Sequence, residues 1–134
     1  MEAITPKRRP TESELAILRV LWTHGPSTVR EVQTELGPAT GYTTALKLLQ
    51  IMAEKGLVSR DEQQRAHVYC ARLDRERTER QLVGDLLTRA FGGSAKRMMM
   101  QLLDAGAATP AEIAEMRQLL DHYESRETRE GKHS

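Results

Sequence analysis

Apolar residues recur at helical spacing along the first third of the chain, and each run is bracketed by polar caps and Gly-Pro stops. Leu15, Leu18, Leu21 and Trp22 follow Thr11-Glu12-Ser13-Glu14. That tetrad is a capping box, in which the Thr hydroxyl accepts from the amide at the third helical position while Glu14 reaches back. The first helix is expected to end at Gly25-Pro26, since Gly takes the turn conformation and Pro cannot continue the ladder. A second box, Thr28-Val29-Arg30-Glu31, opens a short helix with Val29, Val32 and Leu36 on one side and Gly37-Pro38 as its stop. The third run, Thr40 to Lys55, buries Ala45, Leu48, Leu49 and Met52 and turns Thr43, Thr44, Lys47 and Ile51 outward; Gly56 ends it. A hairpin pattern follows: Leu57-Val58-Ser59-Arg60, a polar turn from Asp61 to Gln64, then Arg65-Ala66-His67-Val68-Tyr69-Cys70. Three helices and a hairpin make a helix-turn-helix with a wing.

After Asp74 the pattern is helical only. Leu82/Val83, Leu86/Leu87 and Ala90/Phe91 step by four on a helix expected to begin near Thr78-Glu79-Arg80-Gln81. Gly92-Gly93-Ser94 breaks it, and Ala95, Met98, Met99, Leu102 and Leu103 repeat the stripe. Thr109-Pro110-Ala111-Glu112 opens a last helix, with a Thr cap and Pro at the first helical position, and Ile113, Met116, Leu119, Leu120 and Tyr123 line one side. So much apolar surface needs a partner. Leu82, Val83, Leu86, Leu87, Phe91, Met98, Met99, Leu102, Leu103, Ile113, Met116, Leu119 and Leu120 are therefore read as dimerisation residues. The fold class is mainly α with a small β-hairpin, α+β. Residues 1–10 read as a flexible basic arm, 11–73 as a winged-helix domain, 74–124 as a helical dimerisation domain and 125–134 as a charged tail that frays.

Length points the same way. A chain of 134 residues holds one ordinary domain or two small ones. A domain of about 60 residues buries only roughly 60% of its unfolded surface, so a second subunit is a natural source of burial. The formal net charge of +1 gives no global argument for nucleic acid, but neutrality can hide a local patch. Lys7, Arg8, Arg9, Arg30, Lys47, Arg60, Arg65 and Arg72 fall in an arm, a turn, a helix front and a hairpin. One cysteine excludes an internal disulfide and a spaced Cys metal site, which favours a reducing compartment. No stretch reads as a signal peptide or a bilayer span, so a cytoplasmic protein without membrane insertion is expected.

The chemistry on offer is recognition. The front of the third helix carries hydroxyls and a cation where an ordinary helix has nothing particular to present; the alternative is a plain solvated face. Arg60, Arg65 and His67 on the hairpin can reach phosphates or a minor groove; the alternative is a solvated hairpin with His67 a plain surface histidine. Thr28 caps its helix and sits where exposed amides attract phosphate. The DNA-facing set is Thr28, Arg30, Tyr42, Thr43, Thr44, Leu46, Lys47, Arg60, Arg65 and His67. His122-Tyr123-Glu124 lacks the cysteines of a deaminase site, Gly92-Gly93 follows a helix rather than a strand, and Cys70 reads as a small buried residue. No catalytic residue, metal site or cofactor is expected.

The order of these pieces resembles the penicillinase repressor family, winged-helix repressors of β-lactamase, methicillin-resistance and copper-homeostasis operons. The likeness rests on Thr11-Glu12-Ser13-Glu14-Leu15 with Leu21-Trp22, on Thr28-Val29-Arg30-Glu31-Val32, and on Tyr42-Thr43-Thr44. It continues through Leu49, Glu54-Lys55-Gly56-Leu57, Arg65-Ala66-His67-Val68-Tyr69 and Phe91-Gly92-Gly93-Ser94. It implies a homodimer on an inverted-repeat operator, held by the C-terminal helices and released when a membrane sensor metalloprotease triggers cleavage there. Three departures stand out. Met99-Met100-Gln101-Leu102 offers no Asn-Phe bond of the kind cut in staphylococcal members, and the tail lacks the paired cysteines of copper-responsive ones. Lys47 and Ile51 stand where relatives often carry Thr and Arg, which implies a different operator. Two other classes remain open: a winged-helix protein-interaction module, and a regulator with a ligand pocket.

Overall fold

A computed structural model describes residues 9–63 and 65–131. Lys7 and Arg8 of the expected basic arm lie outside the described residues. The element order is α1 (Glu12–His24), β1 (Ser27–Thr28), α2 (Val29–Leu36), α3 (Tyr42–Lys55), β2 (Val58–Asp61), β3 (Val68–Ala71), α4 (Arg75–Phe91), α5 (Ala95–Asp104) and α6 (Pro110–Gly131). The chain forms two compact units, Met1–Val83 and Gly84–Ser134, and the division falls inside α4.

In the first unit α1, α2 and α3 close over one core of Ile17, Leu18, Leu21, Val29, Val32, Ala45, Leu49 and Met52, completed from the sheet side by Leu57, Val58 and Tyr69. Both expected capping boxes form: the Thr11 hydroxyl accepts from Glu14 N and the Thr28 hydroxyl from Glu31 N. Gly56, at φ 83°, caps α3 in the left-handed conformation and turns the chain straight into β2. Leu48, expected in the core, is only half-buried, and Ile17 takes a fully buried place that the α1 stripe omitted.

The sheet has three strands, not two, in the order β1-β3-β2 and antiparallel throughout. Ser27 pairs with Tyr69 and Thr28 with Val68, so the residue that caps α2 also lies on the sheet. Two residues are too few to show an alternation, which is why β1 leaves no trace in the sequence pattern. On the other side of β3, Arg60 faces Tyr69 and Asp61 faces Val68. Arg65, Ala66 and His67 therefore belong to the connecting loop rather than to the strand. The Asp61 carboxylate opens that loop by accepting from Gln63 N at 2.9 Å.

A part-buried ion pair ties the first helix to the third. Lys55 Nζ donates to Glu14 Oε2 at 2.7 Å, and the same carboxylate accepts from Thr11 N at 3.0 Å through its other oxygen. Burial alone would raise the Glu14 pKa, but the bonds from Lys55 and Thr11 outweigh it and hold the carboxyl below its usual value of 4.5. A depressed carboxylate stabilises the fold above the unfolded pKa, and that contribution is lost as pH falls through the folded value. Glu14→Gln is expected to cost about 1 kcal/mol at neutral pH, the difference between charged and neutral hydrogen bonds. Denaturant melts should show the gap between variant and parent closing only below pH 4.5; a gap constant down to pH 2 would contradict it.

The α4 start corrects the expectation. The helix begins three residues before Thr78, because the Asp74 carboxylate accepts from Arg77 N at 3.0 Å and is the better cap. Thr78 is instead buried, donating its hydroxyl to Asp74 O at 2.7 Å. Trp22 Nε1 donates to Leu73 O at 2.9 Å just ahead of this turn.

The second unit is built of amphipathic helices. Ser94 caps α5 by accepting from Arg97 N, and Thr109 with Glu112 forms the third capping box ahead of α6. Helix continues past Ser125 to Gly131. Arg126, Glu127, Thr128 and Arg129 are interspersed charges and polar groups that a helix accepts, so the expected fraying at Ser125 is not seen. No described residue of this unit is buried. Leu87, Phe91, Met98, Met99, Ile113 and Met116 are half-covered, whereas Leu86, Leu102, Leu103, Leu119 and Leu120 are exposed, the last two at 55% and 53%. Half-covered Leu82 and exposed Val83 close the first unit.

Candidate nucleic-acid interface

Three elements bring polar groups to one place. The N-terminus of α2, the first turns of α3 and the loop before β3 line an open cleft of about 490 Å³, with Thr28, Val29, Arg30, Tyr42, Leu46, Arg65, Ala66, His67 and Tyr69 as its walls. Six residues of the sequence-derived set meet here: Thr28, Arg30, Tyr42, Leu46, Arg65 and His67. The pairing of β1 with β3 is what carries Thr28 to the hairpin side, since Thr28 lies opposite Val68, next to His67.

Thr43, Thr44 and Lys47 do not line the cleft. They stand exposed on α3 beside it, as the helical stripe predicts. The α3 N-terminus is electrostatically open: its cap, Gly41, has no side chain to accept from the first-turn amides, and no acidic residue stands in that turn. Unsatisfied amides at a helix start attract an anion, more so where no carboxylate competes. At α2 the Thr28 hydroxyl and Glu31 carboxylate occupy the amides, so Thr28 has a capping duty already.

The cations differ in how free they are. Lys47 and Arg65 make no ion pair or hydrogen bond with the described residues. Arg60 is engaged: the Tyr69 hydroxyl and then the Glu62 carboxylate hold its guanidinium above the ordinary value, and Glu62 forms an ion pair with it. Arg30 lies over the Tyr42 ring with its guanidinium carbon 5.2 Å from the ring centre. Both residues belong to the sequence-derived set, whereas their contact exists only in the fold. Arg30 and Tyr42 stand at the starts of consecutive helices, and only the packing of α2 against α3 brings those two starts together.

Val29, Ala66 and Tyr69 also line the cleft outside that set. Val29 and Tyr69 are core residues with one edge on the cleft floor, Tyr69 being only 1% exposed. Among the described residues no group of His, Cys, Asp and Glu could hold a metal ion, and no helix is long and apolar enough to cross a membrane.

Over 118 residues the chain is 24% identical to a penicillinase repressor of Bacillus licheniformis, covering 87% of this chain and 92% of that one. Among solved structures it is similar to the DNA-binding domain of the repressor BlaI, with 26% identity and a TM-score of 0.46 over 55% of this chain and 89% of that one. The Bacillus licheniformis BlaI monomeric form in complex with the blaP half-operator gives 25% identity and a TM-score of 0.45, with the same coverage. The penicillinase repressor family model matches residues 10–122. With a winged helix in the first unit and that match over most of its length, the chain belongs to the penicillinase repressor family, whose members are transcriptional regulators and not enzymes.

Proposed function

We propose that the chain is a homodimeric transcriptional repressor that acts in the cytoplasm and binds an inverted-repeat operator, one winged helix per half-site. The observation that carries this reading is the convergence of Arg30, Tyr42, Arg65 and His67 on one cleft beside the exposed front of α3. Thr43, Thr44 and Lys47 project from a helix end that can enter a major groove, with Leu46 behind them, while Thr28, Arg30 and Arg65 reach the flanking backbone. The exposed leucines of the second unit support dimerisation, because apolar stripes of that size on amphipathic helices mark a protein-facing surface. Operator release then follows from separating the C-terminal helices, and a membrane sensor metalloprotease cutting them is one agent able to do so.

Gel shifts on the chain's own upstream DNA, run at rising salt, test the reading. Binding should weaken steeply with salt, since each neutralised phosphate releases a counterion. Salt-insensitive binding, or none, would favour docking on protein. Arg65→Ala should flatten the salt slope by about one phosphate contact on every sequence. Arg60→Ala should change it less, because Glu62 already neutralises that charge; equal effects from the two variants would remove the distinction.

A further inference from the structure

Tyr42 stands at the first position of α3 and Arg30 at the second position of α2, so their stack bridges the leading ends of the two helices of the helix-turn-helix. The ring is 43% exposed and belongs to the cleft wall rather than to the core. A cation over an aromatic face is held by the ring quadrupole, and a guanidinium held by its face keeps its in-plane N–H donors free. Those donors have no hydrogen bond or ion pair among the described residues. Beside them lies the uncapped, acid-free start of α3.

We infer that Tyr42 is a positioning residue: its ring holds the Arg30 guanidinium in the orientation that grips a backbone phosphate at the leading ends of α2 and α3. The stack fixes the distance between that phosphate and the α3 front, so it sets how Thr44 and Lys47 register on the bases. This rests on the DNA-binding reading above and adds which residue orients the grip. An unstacked arginine has many rotamers to lose on binding, and a stacked one has fewer. Tyr42 therefore contributes without touching DNA itself.

The test is a double-mutant cycle on a labelled random-sequence duplex, because a phosphate contact does not depend on operator identity. Tyr42→Leu should weaken binding by about two- to fivefold, the size of an exposed cation–π contact. Tyr42→Phe keeps the ring and should bind within about twofold of the parent. Arg30→Ala should reduce the salt slope by about one contact, and adding Tyr42→Leu to it should cause no further loss. Both side chains are exposed, so circular dichroism and melting are expected to be unchanged. If Tyr42→Phe falls as far as Tyr42→Leu, the hydroxyl meets DNA directly and the inference is overturned. If the two losses simply add, the residues act independently and it is overturned likewise. A parent protein with no salt-dependent binding overturns the DNA reading and this inference together, whereas the other two outcomes leave the DNA reading standing.

Discussion

Leu86→Asp and Leu120→Asp variants are expected to be monomers in solution and to bind a full operator about 10²–10⁴-fold more weakly than the parent, with binding to a half-site unchanged. Leu86 and Leu120 are 48% and 53% exposed in the single chain. A carboxylate at either position stays in water as long as the chain is alone, so the substitution has little to disturb in the folded subunit. In a dimer it would be taken out of water against apolar neighbours, where an unpaired charge costs several kcal/mol. Half-site binding by the two winged helices becomes effectively intramolecular once they are joined, and that linkage is what the variants remove. Light scattering beside titrations on full and half duplexes measures both consequences. Variants that stay dimeric would mean that a different face of α4, α5 and α6 meets the partner.

Lys47→Ala and Thr44→Ala should relax sequence preference, each by about 1–3 kcal/mol, a factor of about 5–150 in discrimination between operator and random DNA. Both side chains are exposed on the front of α3 beside the cleft, and neither lies on its buried stripe of Ala45, Leu49 and Met52. Melting temperatures should hardly move, because nothing in the core is touched. The ratio of operator to random affinity is the informative quantity. A loss shared equally by both duplexes would reassign Lys47 to a phosphate and leave base reading to other residues.

The elements legible in the sequence are those specified by neighbours in the chain. Thr11 with Glu14, Thr28 with Glu31, and Thr109 with Glu112 announce three helix starts because each pair lies three residues apart and needs nothing else to form. Gly56 marks the end of α3 for the same reason. What stayed hidden depends on residues distant in sequence. Glu14 looks fully employed in its capping box, yet its second oxygen receives Lys55 from the far end of α3. Ser27–Thr28 becomes a strand only because β3 is there to pair with it. That pairing decides the geometry of the cleft, so the sequence names six of its residues without showing that they share one wall. The start of α4 is a different kind of miss. The Thr78-Glu79-Arg80-Gln81 pattern looks like a start, but the Asp74 carboxylate takes the capping bond and Thr78 is buried inside the first turns. On the second unit the tail beyond Ser125 stays helical because its alternating charges suit a helix as readily as a coil.

The most direct measurement of paired DNA reading is a footprint of the purified protein on its own upstream region. Two protected patches related by inverted symmetry, their centres about one helical turn or a multiple of it apart, are the expected result. They should fade together in Leu86→Asp and keep their positions in Arg65→Ala. A single unpaired patch, or uniform protection without sequence boundaries, would contradict a repressor that reads its operator with one winged helix per half-site.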